Sequence, residues 1–360
     1  MTNLSAPWMD DGGFANNTED QTVKLPSSVS ALERYIEAIL LSIGSAMGIS
    51  GNLLVIVAVR LSRKLQTKAK ILIAHLAITD FIISGFVIPF TLRAVVRDYW
   101  PFSSVLCTII SSTTHSLLMA TAFFLSAIAL NRYFVITKPI AFYRKMYGGR
   151  KLYIWSITIW IGSFSFPAFL TIIGIGQRGY NIDLNMCDMD YSFQTTPTYV
   201  KIMSMVCFPG PIIIMIICYI GIFRHVRLNS KKVRPTVSTV HVQQLQHMDS
   251  EPTGITPPPT PPRKKTKPIP SKEIKMAKIS VLLVILFCLS YGPLVLVNLL
   301  DPTRTISPLP IRRICKILPL LNSDVNPLIY VWNDGEFRHV FYCIVTFRFR
   351  KIPERVFWTM

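Results

Sequence analysis

A chain of 360 residues that is 51% hydrophobic and only 16% charged, with mean hydropathy +0.42, departs from soluble-domain composition in the direction of a membrane protein. Its net charge of +19 would point to a nucleic-acid partner only if the basic residues gathered on one folded polar surface. They follow one side of a set of apolar spans instead, so nucleic acid is excluded.

Residues 1–34 carry two glycosylation sequons, at Asn3 and Asn16, and lack a basic stretch leading into an apolar core. The expected segment is a glycosylated extracellular N-terminus without a cleaved leader. Seven apolar stretches, each near the roughly 20 residues a spanning helix needs, follow at 35–59, 71–90, 106–133, 152–173, 199–223, 276–300 and 310–332. Most of the 38 Lys and Arg residues fall on the C-terminal side of these spans. The positive-inside rule then puts the N-terminus outside and the C-terminus in the cytoplasm, as the sequons also require. The expected fold is an all-α membrane protein, a seven-transmembrane helix bundle over 35–333 in the plasma membrane.

Between the fifth and sixth spans, residues 224–275 form a long basic loop containing EPTGITPPPTPPRKKTKPIPSK, whose proline density opposes continuous helix. After the seventh span, aromatic and basic residues alternate over 334–347 as in a short amphipathic helix on the inner leaflet, and a short tail covers 348–360. Cys343 in that helix is a palmitoylation site on one reading and a buried unmodified thiol on the other. Cys107, opening the third span, and Cys187, in the loop before the fifth, both face an oxidising compartment, which permits a bridge between them.

Polar residues inside the spans carry the functional argument, because lipid tolerates them only when they face inward and find partners. Asp80 sits among apolar residues in AHLAITDFIIS, and Asn52, Thr121, Asn322, Ser323 and Asn326 offer oxygens from other spans. Such a set suits a hard cation or a proton shared through water, and equally a structural hydrogen-bond network. Pro89, Pro167, Pro211, Pro293 and Pro327 interrupt the helices, the last two as hinges. Arg132, in ALNRYFVITKP at the inner end of the third span, lies at the membrane depth of Glu273, just before the sixth. Pairing would tie the two helix ends together; the other reading has both charges snorkelling to water.

These residues resemble the rhodopsin-like (class A) G-protein-coupled receptors over about 35–343. The motifs are GNLLV at 51–55, LAITD ending at Asp80, WPFSSVLC at 100–107, NRY at Asn131, Arg132 and Tyr133, Pro211 with Tyr219, Phe287 with Pro293, and NPLIY at 326–330. The resemblance implies a receptor that binds an extracellular small-molecule, lipid or peptide ligand and activates a heterotrimeric G protein, with no catalytic chemistry. It further implies that Asp80, Asn52, Thr121, Asn322, Ser323 and Asn326 form a sodium pocket, the only cofactor site expected, with no transition metal. Arg132 would alternate between a sixth-span partner and the G protein. Tyr219 and Tyr330 would swing inward on activation, and Cys107 and Cys187 would form the family's disulfide.

Three positions depart from the family pattern. Asn131 replaces an acidic residue beside the arginine, leaving Glu273 as its restraint; Tyr291 replaces the tryptophan before Pro293; and Thr114 stands where amine receptors carry an aspartate. Leu320 stands where a light sensor needs its retinal-bearing lysine, Lys316 being a turn further out. Within the class, NRY and its neighbours look like the melatonin-receptor neighbourhood and the moody and trapped-in-endoderm orphan receptors. Arg93, Thr114, His115, Leu118, Tyr291, Asn298 and Leu320 are expected to line the ligand pocket, and an inward Arg93 would favour a carboxylate or phosphate, the other reading being that it snorkels to the headgroups. The rival function is a seven-helix transporter or pump with Asp80 as its cation or proton relay, which would require a polar path to both faces.

Overall fold

The computed structural model describes residues 30–246 and 271–356, so the sequons at Asn3 and Asn16 and the Pro-rich stretch up to Pro270 lie outside the described residues. The bundle is built from α1 (Ala31–Leu61), α2 (Lys68–Ile82) running through a π-helical turn (Ile83–Val87) into α3 (Ile88–Arg97), α4 (Ser104–Thr137), α5 (Ile140–Tyr147) and α6 (Lys151–Ile172). A hairpin of β1 (Arg178–Asn181) and β2 (Met186–Met189) precedes α7 (Thr196–Cys207), α8 (Pro209–Gln246), α9 (Ser271–Leu300), α10 (Leu309–Asn333) and α11 (Gly335–Val345). The spans in order are α1, α2 with α3, α4, α6, α7 with α8, α9 and α10.

Local chemistry sets the helix ends. Ser30 and Glu33 form a reciprocal capping box at the start of α1, Thr67 caps α2, and Ser103 caps α4. The π turn precedes Pro89, which has no N–H to give the helix ladder. The fifth span breaks at Phe208, three residues before the expected Pro211, because Pro209 opens the next helix. That helix continues to Gln246, well past the expected end at Phe223. The loss of hydropathy marks where the chain leaves lipid, and a helix of polar residues can continue into water.

Six of the spans are long and apolar enough to cross a membrane. The seventh, α10, carries Arg312, Arg313, Lys316 and Asp324 and escapes that test, but Arg313 and Asp324 are only 5% and 4% exposed. Their place is the bundle interior. The outward faces of the other spans show Ile43, Ile161, Ile217 and Leu289, an inversion of soluble-protein surfaces that suits lipid. Gly51 lets the first and seventh spans meet, since a Cβ there would stand 2.8 Å from Pro327 Cβ.

Cys107 and Cys187 are bonded, which holds β2 over the top of α4. The hairpin is the one departure from an all-helical architecture among the described residues, with Tyr180 opposite Cys187. All four β2 residues are buried, so this strand is a plug in the bundle mouth. Glu37 of α1 pairs with Arg313 of α10, whose Nη1 also donates to the Asp183 carbonyl at 3.1 Å.

At the end of the bundle opposite the hairpin, Lys70 is 1% exposed and its Nζ stands 2.8 Å from Asp334 Oδ2 and 2.7 Å from Glu336 Oε2. It also lies 4.9 Å from the Phe337 ring centroid. This cation anchors α11 to the second span. The helix packs inward through Phe337, Val340, Phe341 and Cys343. Cys343 is 1% exposed and packs within the apolar cluster of this half of the bundle.

Removing a partner from such a buried pair leaves uncompensated charge, at a cost of about 3–5 kcal/mol. Lys70→Ala therefore lowers the detergent-solubilised melting temperature by several degrees, whereas the half-buried Lys68→Ala, which breaks no such pair, does not, as a thermal denaturation assay with a thiol-reactive dye would read.

Candidate functional site

Three polar layers cross the bundle, stacked from the hairpin end to the α11 end. At the α11 end, Arg132 is 4% exposed and its Nη1 donates to Glu273 Oε2 at 2.8 Å, the pairing expected between the third and sixth spans. Asn131 is buried beside it and its Nδ2 donates to the Tyr143 hydroxyl of α5 at 3.3 Å. A neutral amide thus holds the short helix, while the charge on Arg132 rests on Glu273. Both residues line a cleft of about 130 Å³ with Lys70, Tyr143 and Met276. Tyr133 and Tyr219 pack beside it around Ile136, Ile222 and Ala277.

The middle layer surrounds Asp80, which is fully buried and whose Oδ2 accepts from Asn326 Nδ2 at 2.7 Å. Asn52 Nδ2 donates to the carbonyls of Gly48 at 2.9 Å and Ser323 at 3.0 Å. Thr121 Oγ1 lies 3.3 Å from Thr79 Oγ1, and the Ser290 hydroxyl donates to Asn322 Oδ1 at 3.2 Å. Every one of the expected polar residues is present in this layer. Asp324 joins it as a second carboxylate, its Oδ1 at 2.9 Å from Ser84 Oγ, which is also 2.9 Å from the Asp80 carbonyl. Asp80 Oδ1, Asn52 Oδ1 and Asp324 Oδ2 are buried acceptors with no hydrogen-bond partner among the described residues.

Rings connect the layers. Tyr291 packs on Phe287 with centroids 4.3 Å apart, and Phe287 stacks on Phe208 at the break in the fifth span. Tyr330, 1% exposed, stacks on Phe337 of α11 at 5.6 Å. Pro293 and Pro327 lie inside α9 and α10, next to these rings.

The outer layer differs most from expectation. Thr114 bonds its own helix at the Ile110 carbonyl, Leu118 and Leu320 pack in apolar clusters, and Asn298 donates to Ser204 Oγ at 3.2 Å. Arg93 is exposed on the outside of α3 and contributes nothing to the interior. His115 does face inward, its Nδ1 donating to the Ser111 carbonyl at 2.8 Å and its Nε2 at 3.4 Å from Asp188 Oδ1. Asp188, 3% exposed, is the centre of this layer and also meets Lys316 Nζ at 2.6 Å and Arg304 Nη2 at 3.6 Å. Burial pushes its carboxyl up, but Lys316, His115 and Arg304 together outweigh that and hold it below the usual carboxylate range.

Asp188, Arg178, Arg304, Lys316, Tyr143 and Asp324 are the site residues that span depth and helical spacing did not single out. One signal existed: Asp188 follows Cys187, so a bridge to Cys107 would bring it to the top of the third span.

Comparison with known proteins agrees with this architecture. The family model described as 7 transmembrane receptor (rhodopsin family) matches residues 51–330. The chain is 26% identical to the 5-hydroxytryptamine receptor 4 of Cavia porcellus, over 91% of this chain and 83% of that one. It is also 26% identical to the GQ-coupled rhodopsin of Mizuhopecten yessoensis, over 86% of this chain and 59% of the other. The crystal structure of squid rhodopsin superposes with a TM-score of 0.70 at 25% identity, covering 89% of this chain and 87% of that chain. These likenesses reach amine receptors and light sensors alike, so they support the class and no single branch of it.

Proposed function

Because the chain belongs to the 7 transmembrane receptor (rhodopsin family), the G-protein-coupled receptors, we propose that its Arg132–Glu273 pair is the restraint its extracellular ligand must release to activate a heterotrimeric G protein. The orientation that goes with this reading has the N-terminus outside the plasma membrane and the Arg132 cleft in the cytoplasm. The ligand enters the outer layer. The observation that carries the proposal is the pair itself: it joins the third and sixth spans at the cleft where a G protein would dock.

Glu273 is 30% exposed, so water screens the pair and its contribution is of the order of 1 kcal/mol. Asn131 adds no second negative charge. A restraint this weak leaves a substantial active population without ligand, since about 1.4 kcal/mol changes such a ratio tenfold. The transporter reading loses to membership of a receptor family.

The middle layer fits a sodium ion on its donor set. Asp80 and Asp324 place two carboxylates in a buried space, and three of its acceptor oxygens lack donors. Hard oxygen ligands of this kind suit a small cation. Asp80, Asn52, Thr121, Asn322 and Ser323 would hold it, with Asn326 steadying Asp80 through its amide. The ion would supply counter-charge there and so favour the packed, inactive arrangement.

Two measurements test these assignments. In membranes containing purified G protein, Glu273→Gln raises ligand-free nucleotide exchange roughly fivefold, as loss of about 1 kcal/mol requires, and Asn131→Asp lowers it; an unchanged baseline in both overturns the restraint. Replacing potassium by sodium raises the melting temperature of the wild type and lowers its basal exchange, and Asp80→Asn abolishes both responses.

A further inference from the structure

Among the described residues, the outer layer holds more positive charge than its own carboxylates neutralise. Lys316, Arg304 and Arg178 converge under the hairpin, and Asp188 is the carboxylate that meets the first two. Arg178 Nη1 lies 3.3 Å from His115 Nδ1 and 3.4 Å from Ser111 Oγ, its Nη2 donates to the Tyr199 hydroxyl at 3.1 Å, and its polar partners among the described residues include no carboxylate. Arg304 is fixed by stacking over Tyr191, 4.0 Å from the ring centroid. Three fixed cations and one anion give this layer a surplus of positive charge even with His115 neutral. Charge taken out of water needs counter-charge.

The surroundings specify the rest of the occupant. Along α4, Ser111, His115, Met119 and Phe123 recur at four-residue spacing and so share one face, polar at the top and apolar below. Met119, Leu170, Val200 and Met203 form one buried apolar cluster with Tyr199 and Met189, the residues that touch Arg178. The Arg178 guanidinium therefore borders an apolar cluster, with the Lys316 ammonium on the other side of Asp188.

On the receptor reading above, we infer that the ligand is an amphipathic organic carboxylate, and that Asp188 is a tethered stand-in for its headgroup. The ligand's carboxylate displaces that of Asp188 from Lys316 and bonds Arg178, while its hydrocarbon body lies against Met119, Val200 and Met203. A cationic amine has no place beside Lys316, Arg304 and Arg178, consistent with Thr114 in the position of an amine-binding aspartate. The hairpin explains how the stand-in is presented. Asp188 is attached through Cys187 to α4, so its displacement shifts β2 and leaves the salt-bridge partner on α10 to the ligand.

Thermal-shift titration of the purified full-length receptor, which needs no G protein, tests the ligand class apart from signalling. The probes are short- to medium-chain alkyl carboxylates and arylacetates, with their primary amides, amines and alkyl phosphates as controls. Carboxylates stabilise the protein, and amides and amines do not. Asp188→Asn, which removes the internal competitor, tightens carboxylate binding by about tenfold, and Lys316→Gln weakens it by at least as much. If Asp188→Asn does not fold, Lys316→Gln and Arg178→Gln decide the matter alone. Equal shifts from amides or amines, preference for alkyl phosphates, or unchanged carboxylate binding in Lys316→Gln each overturn the inference. Carboxylate binding without any nucleotide exchange would leave the ligand class standing and remove the receptor reading instead.

Discussion

Lipid gives a charged side chain inside a helix bundle two outlets, the headgroups or a partner within the bundle. Much of this molecule's architecture follows from taking the second. Arg313, Lys316, Leu320, Asp324 and Pro327 recur along α10 at helical spacing, so one face of that helix carries nearly all of its chemistry. Turning that face inward buries Arg313 against Glu37, Lys316 against Asp188, and Asp324 against Ser84. The least apolar span is therefore the one that brings charge into both the outer and the middle polar layers. Its rotation is fixed by charge as much as by shape.

The ionic contacts differ in what breaking them costs. Glu37 and Arg313 are both nearly inaccessible, and Lys70 sits between two carboxylates, so separating either set strands charge in low dielectric. Arg132 is as buried as these, but Glu273 keeps contact with water, and opening that pair returns its carboxylate to solvent at little cost. A single bundle thus has permanent clamps between the first, second and seventh spans and α11, and a releasable one between the third and sixth. That distribution leaves the end of α9 that carries Glu273 the less firmly held one, with Pro293 interrupting the helix ladder in its other half.

The spans, the buried Asp80 layer and the Arg132–Glu273 pair were legible because each rests on one-dimensional information. An apolar run has a length, a carboxylate within it needs partners, and two charges at equal depth on the inner ends of two spans can be matched by counting. The outer layer was not legible in the same way. Arg178 and Arg304 belong to loops, whose depth is set by the hairpin and the disulfide, while the choice for Arg93 between the interior and the headgroups turns on helix rotation, which leaves it exposed. Cys343 shows the same limit, since an amphipathic pattern does not say how far the helix rolls toward the bundle. The fifth span erred in the other direction: hydropathy ends at the membrane surface, whereas backbone hydrogen bonding carries the helix on to Gln246.

What connects the mouth to the cleft is the shared position of a few rigid elements rather than a chain of contacts. Lys316 fixes the outer part of α10 through a strand that is itself bonded to α4, and both helices run on to the Asp80 layer and then to Arg132 and Tyr330. A change of anion at Lys316 alters the constraint between α4 and α10 at their outer ends only. The clamp at Lys70 and the close approach at Gly51 hold the inner half of the first, second and seventh spans. The remaining freedom lies where α10 meets α9, through Ser290 and Asn322, and where α9 packs by Phe287 on the broken fifth span. Movement begun under the hairpin is therefore directed into the sixth span, whose far end carries Glu273.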